Sequence, residues 1–362
     1  MTNTLNRTSI KPLTTLRGIF ACCVLLFHCG DKNFMQLATG GVVFFFILSG
    51  FLMSMHHDSS KMRGRMYRDF LKGRAFKIYP IHWLTLFMFV LITTVFHEQG
   101  IYWNALVPNF LLLHCYIPIR SYFFSFNTVS WFLCDILLCY VCYPFISRVL
   151  HRLRLRSQLS LIAVLFISYS IFMYPWDSVA DESVIRWSHV FPLFRLFEFS
   201  MGIVAHHCYQ ALKARCAQWN RVKATLWEVA AVGLIAALIV ADQQHHGFFR
   251  DNYDDSIMWE LPMSFLIIVS SLNSGREGLL GCFLSWRPLV WMGGISMEIF
   301  LLQSFAGRFY NFIVCPVLAH LGYLGCYTNY WLILPLLIPM AWVVHRYFSK
   351  PIFRKSRILT HS

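Results

Sequence analysis

Apolar runs of membrane-spanning length recur along the chain at about 14–30, 40–56, 78–97, 129–148, 159–175, 190–208, 224–241, 257–272, 288–306 and 329–348. Helices of this length and apolarity match the hydrocarbon thickness of a bilayer, so the pattern predicts about ten transmembrane helices. Two further apolar stretches, 104–117 and 309–321, are short and carry Pro108 and Pro316. Proline interrupts a helix, so these are expected to be re-entrant or interfacial segments. No repeat, low-complexity tract or separate soluble domain divides the chain, and 1–362 reads as one membrane domain.

The first apolar run holds two polar residues, Arg17 and His28. Eleven helical residues place their side chains within about 20° of one face and about 16 Å apart along the axis. Hydrocarbon disfavours both, so both are expected to face a protein interior or a wet cavity. The alternative is a snorkelling arginine at one membrane edge and a satisfied histidine near the other.

Composition sharpens this picture. Of 362 residues, 57% are hydrophobic and only 13% are charged, well below the quarter expected of a soluble domain. The twelve cysteines lie mostly in apolar runs and read as small buried hydrophobes. Cys139-x-x-Cys142 sits inside a span without the context of a redox domain. No cleavable leader is expected, because the first run carries Arg17, lacks a small-x-small exit and precedes many further spans.

The formal net charge of +14 is explained by topology. Twenty-five of the 31 Lys and Arg fall in one alternating set of ends and loops, from Arg7 and Lys11 through Lys61–Lys77, Arg148–Arg156, Lys213–Lys223, Arg276 and Arg287 to Arg346–Arg357. The opposite loops carry Asp177, Asp181, Glu182, Asp242, Asp251, Asp254 and Asp255. The positive-inside rule places both termini in the cytoplasm and His28 in the outer half of the first span. No nucleic-acid partner is needed to account for the basic excess.

Candidate chemistry is sparse. Gly40-Gly41 and Gly50 bracket the second span, where glycine permits close backbone approach for helix packing or a cavity wall. Lys72, Arg74 and Lys77 cluster at the mouth of the third. They can bind the phosphates of a nucleotide-like donor or anchor the helix at lipid headgroups. Glu198 lies mid-span, either acting with His28 or an arginine or serving as a structural partner of Arg195. Glu298 and Gln303 are weaker candidates. The pairs His56-His57, His206-His207 and His245-His246 diverge on a helix, so no metal site is expected.

Several motifs together resemble the acyltransferase 3 family, integral membrane enzymes that acylate surface glycans and other extracytoplasmic acceptors. Arg17 and His28 resemble the family's arginine-x10-histidine signature, and 41–52 resembles its G-V-x-x-F-F-x-x-S-G-F-L span. Arg74-x-x-Lys77-Ile78-Tyr79-Pro80 is similar to its R-x-x-R-I-Y-P element. Arg195-x-x-Glu198-Phe199-x-x-Gly202 and Trp286-Arg287-Pro288-Leu289 with 293–302 are similar to two later spans. The resemblance runs from about Thr14 to Val344. There are three departures. Lys77 replaces an arginine, keeping charge but losing forked geometry. Gln303 replaces a titratable histidine. Asp135 precedes the position, Ile136, where many relatives carry glutamate, so it either serves from another helix face or the role is absent.

The resemblance implies an all-α polytopic protein, about ten helices around a central cavity, in a bacterial inner membrane. It implies acetyl-CoA as acyl donor and a surface polysaccharide or its lipid-linked precursor as acceptor, with no metal. Arg17, Lys72, Arg74 and Lys77 would hold the donor, and His28 would act as general base or acyl-carrying nucleophile with Glu198 beside it. The competing class is a secondary transporter or flippase, with His28, Glu198 and Arg17 as a proton relay.

Overall fold

The computed structural model describes residues 10–173, 187, 189–244, 256–275, 277–323 and 330–354. Arg7, Arg276, Lys355 and Arg357, the acidic positions 177, 181, 182, 251, 254 and 255, and the pair His245-His246 lie outside the described residues.

Every regular element among the described residues is helical. The principal helices are α1 (Lys11–His28), α2 (Met35–His56), α3 (Gly64–Val95), α4 (Trp131–Arg152), α5 (Leu155–Met173) and α6 (Pro192–Cys216). They continue with α7 (Arg221–Gln244), α8 (Ser256–Leu272), α9 (Arg287–Gly294), α10 (Ser296–Phe309) and α11 (Ile333–Val344). Each predicted apolar run falls on one of these helices or, for 288–306, on the α9–α10 pair. Four helical segments are long and apolar enough to cross a membrane, and a fifth is gained if α9 and its continuation, bent by 64°, count as one span. The other runs fall short for physical reasons. α1 carries Lys11 and the half-buried Arg17, α6 carries the buried Arg195–Glu198 pair, and the apolar parts of α5 and α8, like the whole of α11, are short.

The prolines act differently in the two interrupted stretches. Around Pro108 the chain breaks into short helices at Leu106–Phe110 and His114–Tyr116. Around Pro316 it does not break. The helix from Ser296 runs on to His320, and a π-turn at Tyr310–Val314 takes up the irregularity just before the proline. The 309–321 stretch is therefore a continuation of α10.

At the centre stands α2, packed against α1, α4, α6 and α8. Two thirds of its apolar window is buried, against 17% for α7, which lies at the periphery. Glycine allows the closest of these contacts. A Cβ at Gly202 of α6 would fall on the carbonyl of Ile47, and one at Gly50 of α2 on the carbonyl of Phe199. The two backbones thus touch with no side chain between them. Gly202→Ala should destabilise the fold by about 1–3 kcal/mol through overpacking. Gly233→Ala on α7, where an added methyl meets nothing within 4 Å, should be neutral or slightly stabilising. Thermal unfolding in detergent checks this, and equal melting temperatures for the two variants would contradict the contact.

Candidate active site

The helix lengths decide which predicted residues can meet. α1 is unbroken from Lys11 to His28, so Arg17 and His28 share a face about 16 Å apart, as the spacing predicts. α3 begins at Gly64, so the basic stretch is helical rather than a loop. Arg74 and Lys77, three residues apart, lie on one face of it. Lys72, two residues before Arg74, lies about 200° around the axis. That is why Lys72 is exposed while Arg74 and Lys77 turn inward.

Arg17, Arg74 and Lys77 converge on one cavity of about 290 Å³ between α1, α2, α3, α4 and α10. Lys72, His28 and Glu198 do not line it. Its remaining polar lining is Ser49, Tyr140 and Ser296; the rest is apolar. The Arg74 guanidinium lies 5.3 Å from the Phe70 ring centroid and 5.4 Å from that of Tyr140. It donates to His57 Nε2 at 2.7 Å, so His57 carries its proton on Nδ1. The turn that presents His57 is closed by Ser60, whose hydroxyl and amide donate to Asp58 at 2.6 and 3.0 Å. The Ser60 hydroxyl, then its amide, hold the Asp58 carboxyl below its ordinary range. Arg17 has Tyr140 and Glu298 as electrostatic neighbours, and Glu298 accepts from His345 Nδ1 at 3.0 Å.

Phe45, Phe132 and Phe300 form one end of the cavity, with ring centroids 5.4 to 6.0 Å apart. Leu52 lies two turns farther along α2, about 11 Å from Phe45, and marks the end near Arg74 and Lys77. Phe20 of α1 packs on Phe44 at 4.8 Å, which sets Arg17 near the level of Phe45. His28 is therefore beyond the phenylalanines, some three turns up α1. Its Nδ1 donates to Val24 O at 2.8 Å and its ring meets Phe27 edge-on at 5.5 Å. The carbonyl can only accept, so the proton is on Nδ1 and Nε2 keeps its lone pair. His28 is exposed at the end of α1.

Glu198 lies elsewhere. It is buried on α6 and paired with Arg195, which also donates through Nε to the His189 carbonyl at 2.6 Å and stands over Trp131. Gln303 is buried and neither of its amide atoms bonds to protein. Ile136, one residue after Asp135, lines the cavity, whereas Asp135 points toward Cys115, Cys134 and Arg195. The 100° step of the helix separates the two. The described histidine pairs disperse: His56 bonds Leu52 O, His206 bonds Ser54 and His207 bonds Gln158.

A family profile described as an acyltransferase domain matches residues 11–344. The chain belongs to the acyltransferase 3 family. It is also 26% identical over 255 residues to the acyltransferase MdmB of Streptomyces mycarofaciens, a match that covers 62% of this chain and 63% of that protein. No solved structure matches the chain.

Membership accounts for the convergence of the family motifs on α1, α2 and α3 around one cavity. It leaves Tyr140, His57 and the Glu298–His345 pair as residues that the motif reading missed or underweighted. Ser49 was visible inside the second-span motif, and His57 in an adjacent pair that drew attention only for metal binding. The Glu298–His345 contact joins positions 47 residues apart, and His345 opens a π-turn at His345–Ser349 that no sequence pattern announces.

Proposed function

We propose that the protein is a membrane O-acyltransferase that moves an acyl group, acetyl first among them, from acyl-CoA to a hydroxyl of a surface polysaccharide or its lipid-linked precursor. The observation that carries this reading is the meeting of Arg17, Arg74 and Lys77 in a single cavity whose walls turn apolar toward the level of Phe45. Arg74 and Lys77 at one end suit the donor's phosphates, and the apolar walls that run from there to Arg17 and the phenylalanines suit its pantetheine arm. A cavity of about 290 Å³ is small for a whole coenzyme, so the nucleotide sits at the cytoplasmic mouth and the arm enters. In this reading the arm enters past Arg17 and the phenylalanines toward His28, which stands about 16 Å beyond Arg17 along α1.

There the acceptor hydroxyl gives its proton to His28 Nε2 as its oxygen attacks the thioester carbonyl. The carbon–sulfur bond breaks, an ester forms, and the proton leaves with the CoA thiol. Glu298 and Tyr140 position Arg17, while Glu198 with Arg195 braces α6. The topology proposed is ten crossings of a bacterial inner membrane with both termini cytoplasmic, supported by the distribution of Lys and Arg.

The test is purified full-length protein in detergent, given radiolabelled acetyl-CoA and a membrane extract as acceptor source. The expected result is label in an alkali-labile, extract-dependent product with stoichiometric thiol release. Binding of acetyl-CoA with neither transfer nor hydrolysis would contradict the assignment.

A further inference from the structure

The strongest cluster outside the cavity lies where the short helices after α3 meet the first turn of α4. His114 and Cys115 come from the turn at His114–Tyr116, and Cys134 from α4. One ligand atom from each lies within 4.8 Å of the others, and all three residues are buried. Asp135 follows Cys134 and is wholly buried, with the Cys115 thiol as hydrogen-bond partner of its carboxylate. The Cys134 thiol is its electrostatic neighbour. His114 is likewise buried, beside the Pro108 carbonyl.

Two thiols, an imidazole and a carboxyl thus gather in an apolar setting where their bonds are to one another and to nearby backbone. The bonds that do exist are weak. Cys115 Sγ stands 3.8 Å from the Trp131 carbonyl, and Ser130 Oγ stands 3.4 Å from His114 Nε2. Cys134 Sγ, at 2.9 Å from the Leu112 carbonyl, is crowded for a thiol. A thiolate there would repel the carbonyl and turn toward a cation.

We propose that His114, Cys115 and Cys134 hold a structural zinc ion, with Asp135 as the fourth donor. The chemistry of the set is specific. Two sulfurs and an imidazole select a borderline-soft, tetrahedral divalent ion over calcium or magnesium. Zinc–sulfur arms of about 2.3 Å set two tetrahedral sulfurs about 3.8 Å apart. Bringing His114, Cys115 and Cys134 from their present spread onto one ion therefore takes about 1 Å of side-chain movement, while the Asp135 carboxylate, which lies against Cys115, has farther to turn. Zn²⁺ with two thiolates and a neutral imidazole carries no net charge, and two thiol protons are released on binding. The Arg195–Glu198 ion pair lies beside Asp135. The ion ties the interrupted segment around Pro108 to α4, whose next turns contribute Ile136 and Tyr140 to the cavity. The site was not legible in the sequence, because eighteen residues separate the two cysteines and no CxxC or HxxxH spacing marks them.

The experiment uses full-length protein produced in zinc-supplemented medium, purified in detergent and dialysed against a weak chelator. Elemental analysis should find about one zinc per chain in the wild type. Cys115→Ser and Cys134→Ser should lose it, while Cys139→Ser, a buried cysteine one turn farther along α4 and outside the cluster, should retain it. Cobalt substituted for zinc should give a thiolate charge-transfer band in the wild type that Cys134→Ser lacks. If the serine variants do not fold, the wild type alone decides. Folded wild-type protein with no zinc above a chelator-stripped control overturns the proposal. So does mass spectrometry that finds Cys115 and Cys134 joined in a disulfide.

Discussion

Replacing His28 with alanine should abolish acyl transfer while leaving donor binding intact. A sugar hydroxyl is a poor nucleophile near neutral pH, and a positioned imidazole contributes typically about 10²–10⁴-fold in rate as a general base. The geometry suits that role: Val24 O holds the proton on Nδ1 and leaves the Nε2 lone pair for the acceptor. His28 is exposed at the last position of α1, so truncating it removes little packing and the variant should fold and insert. His28→Gln tests the chemistry more sharply. Glutamine keeps size and hydrogen-bonding capacity but takes no proton at neutral pH, so it should be as inactive as alanine. A transporter that used His28 only for hydrogen bonding would tolerate the change. Acceptor-dependent release of CoA thiol, at matched amounts of folded protein, measures this. Wild-type turnover in the glutamine variant removes His28 as the base.

The second large effect is expected at Arg74. It lines the cavity on α3 and is held by Phe70, Tyr140 and His57. Hydrogen bonds to charged groups are worth about 1.5–3 kcal/mol, so Arg74→Ala should weaken acetyl-CoA binding about 10- to 150-fold. Arg74→Lys should recover part of this, since it restores charge without the planar fork. Lys72→Ala should change affinity little, because Lys72 is on the far side of the helix and exposed. The Arg74 effect should be larger at low salt, where phosphate contacts are least screened. Calorimetric binding of acetyl-CoA to the three variants separates the readings. If Arg74→Ala loses activity while its donor affinity and salt dependence match wild type, the cluster serves topology or folding.

Much of this was legible because it is local. The Arg17–His28 spacing fixes a face and a distance on any unbroken helix, and α1 is unbroken. The three-residue step from Arg74 to Lys77 fixes another face, although the helical start of α3 at Gly64, and hence the outward turn of Lys72, emerged only in the structure. Apolar runs located the helices but did not settle how many cross the membrane. α1 and α6 are apolar enough to be buried yet carry the charges that function and packing require. The effect of Pro316 was hidden because a π-turn can absorb an irregularity that would end an ordinary helix. Long-range contacts were least legible. The Arg195–Glu198 pair lies within one turn of α6 and was foreseen as one of two readings, but the Glu298–His345 contact and the His114/Cys115/Cys134 cluster join segments that only the fold brings together.

The central claim is that donor and base lie at different depths of one path, with the donor's cations facing the cytoplasm. Sealed membrane vesicles containing the protein and its natural acceptors test it most directly. Radiolabelled acetyl-CoA is added outside inside-out or right-side-out preparations of equal protein content. The account predicts that inside-out vesicles, which present Arg74 and Lys77 to the medium, release CoA thiol and acquire alkali-labile label. Right-side-out vesicles should do so only after permeabilisation. Equal use of external donor by both sealed preparations would contradict the account.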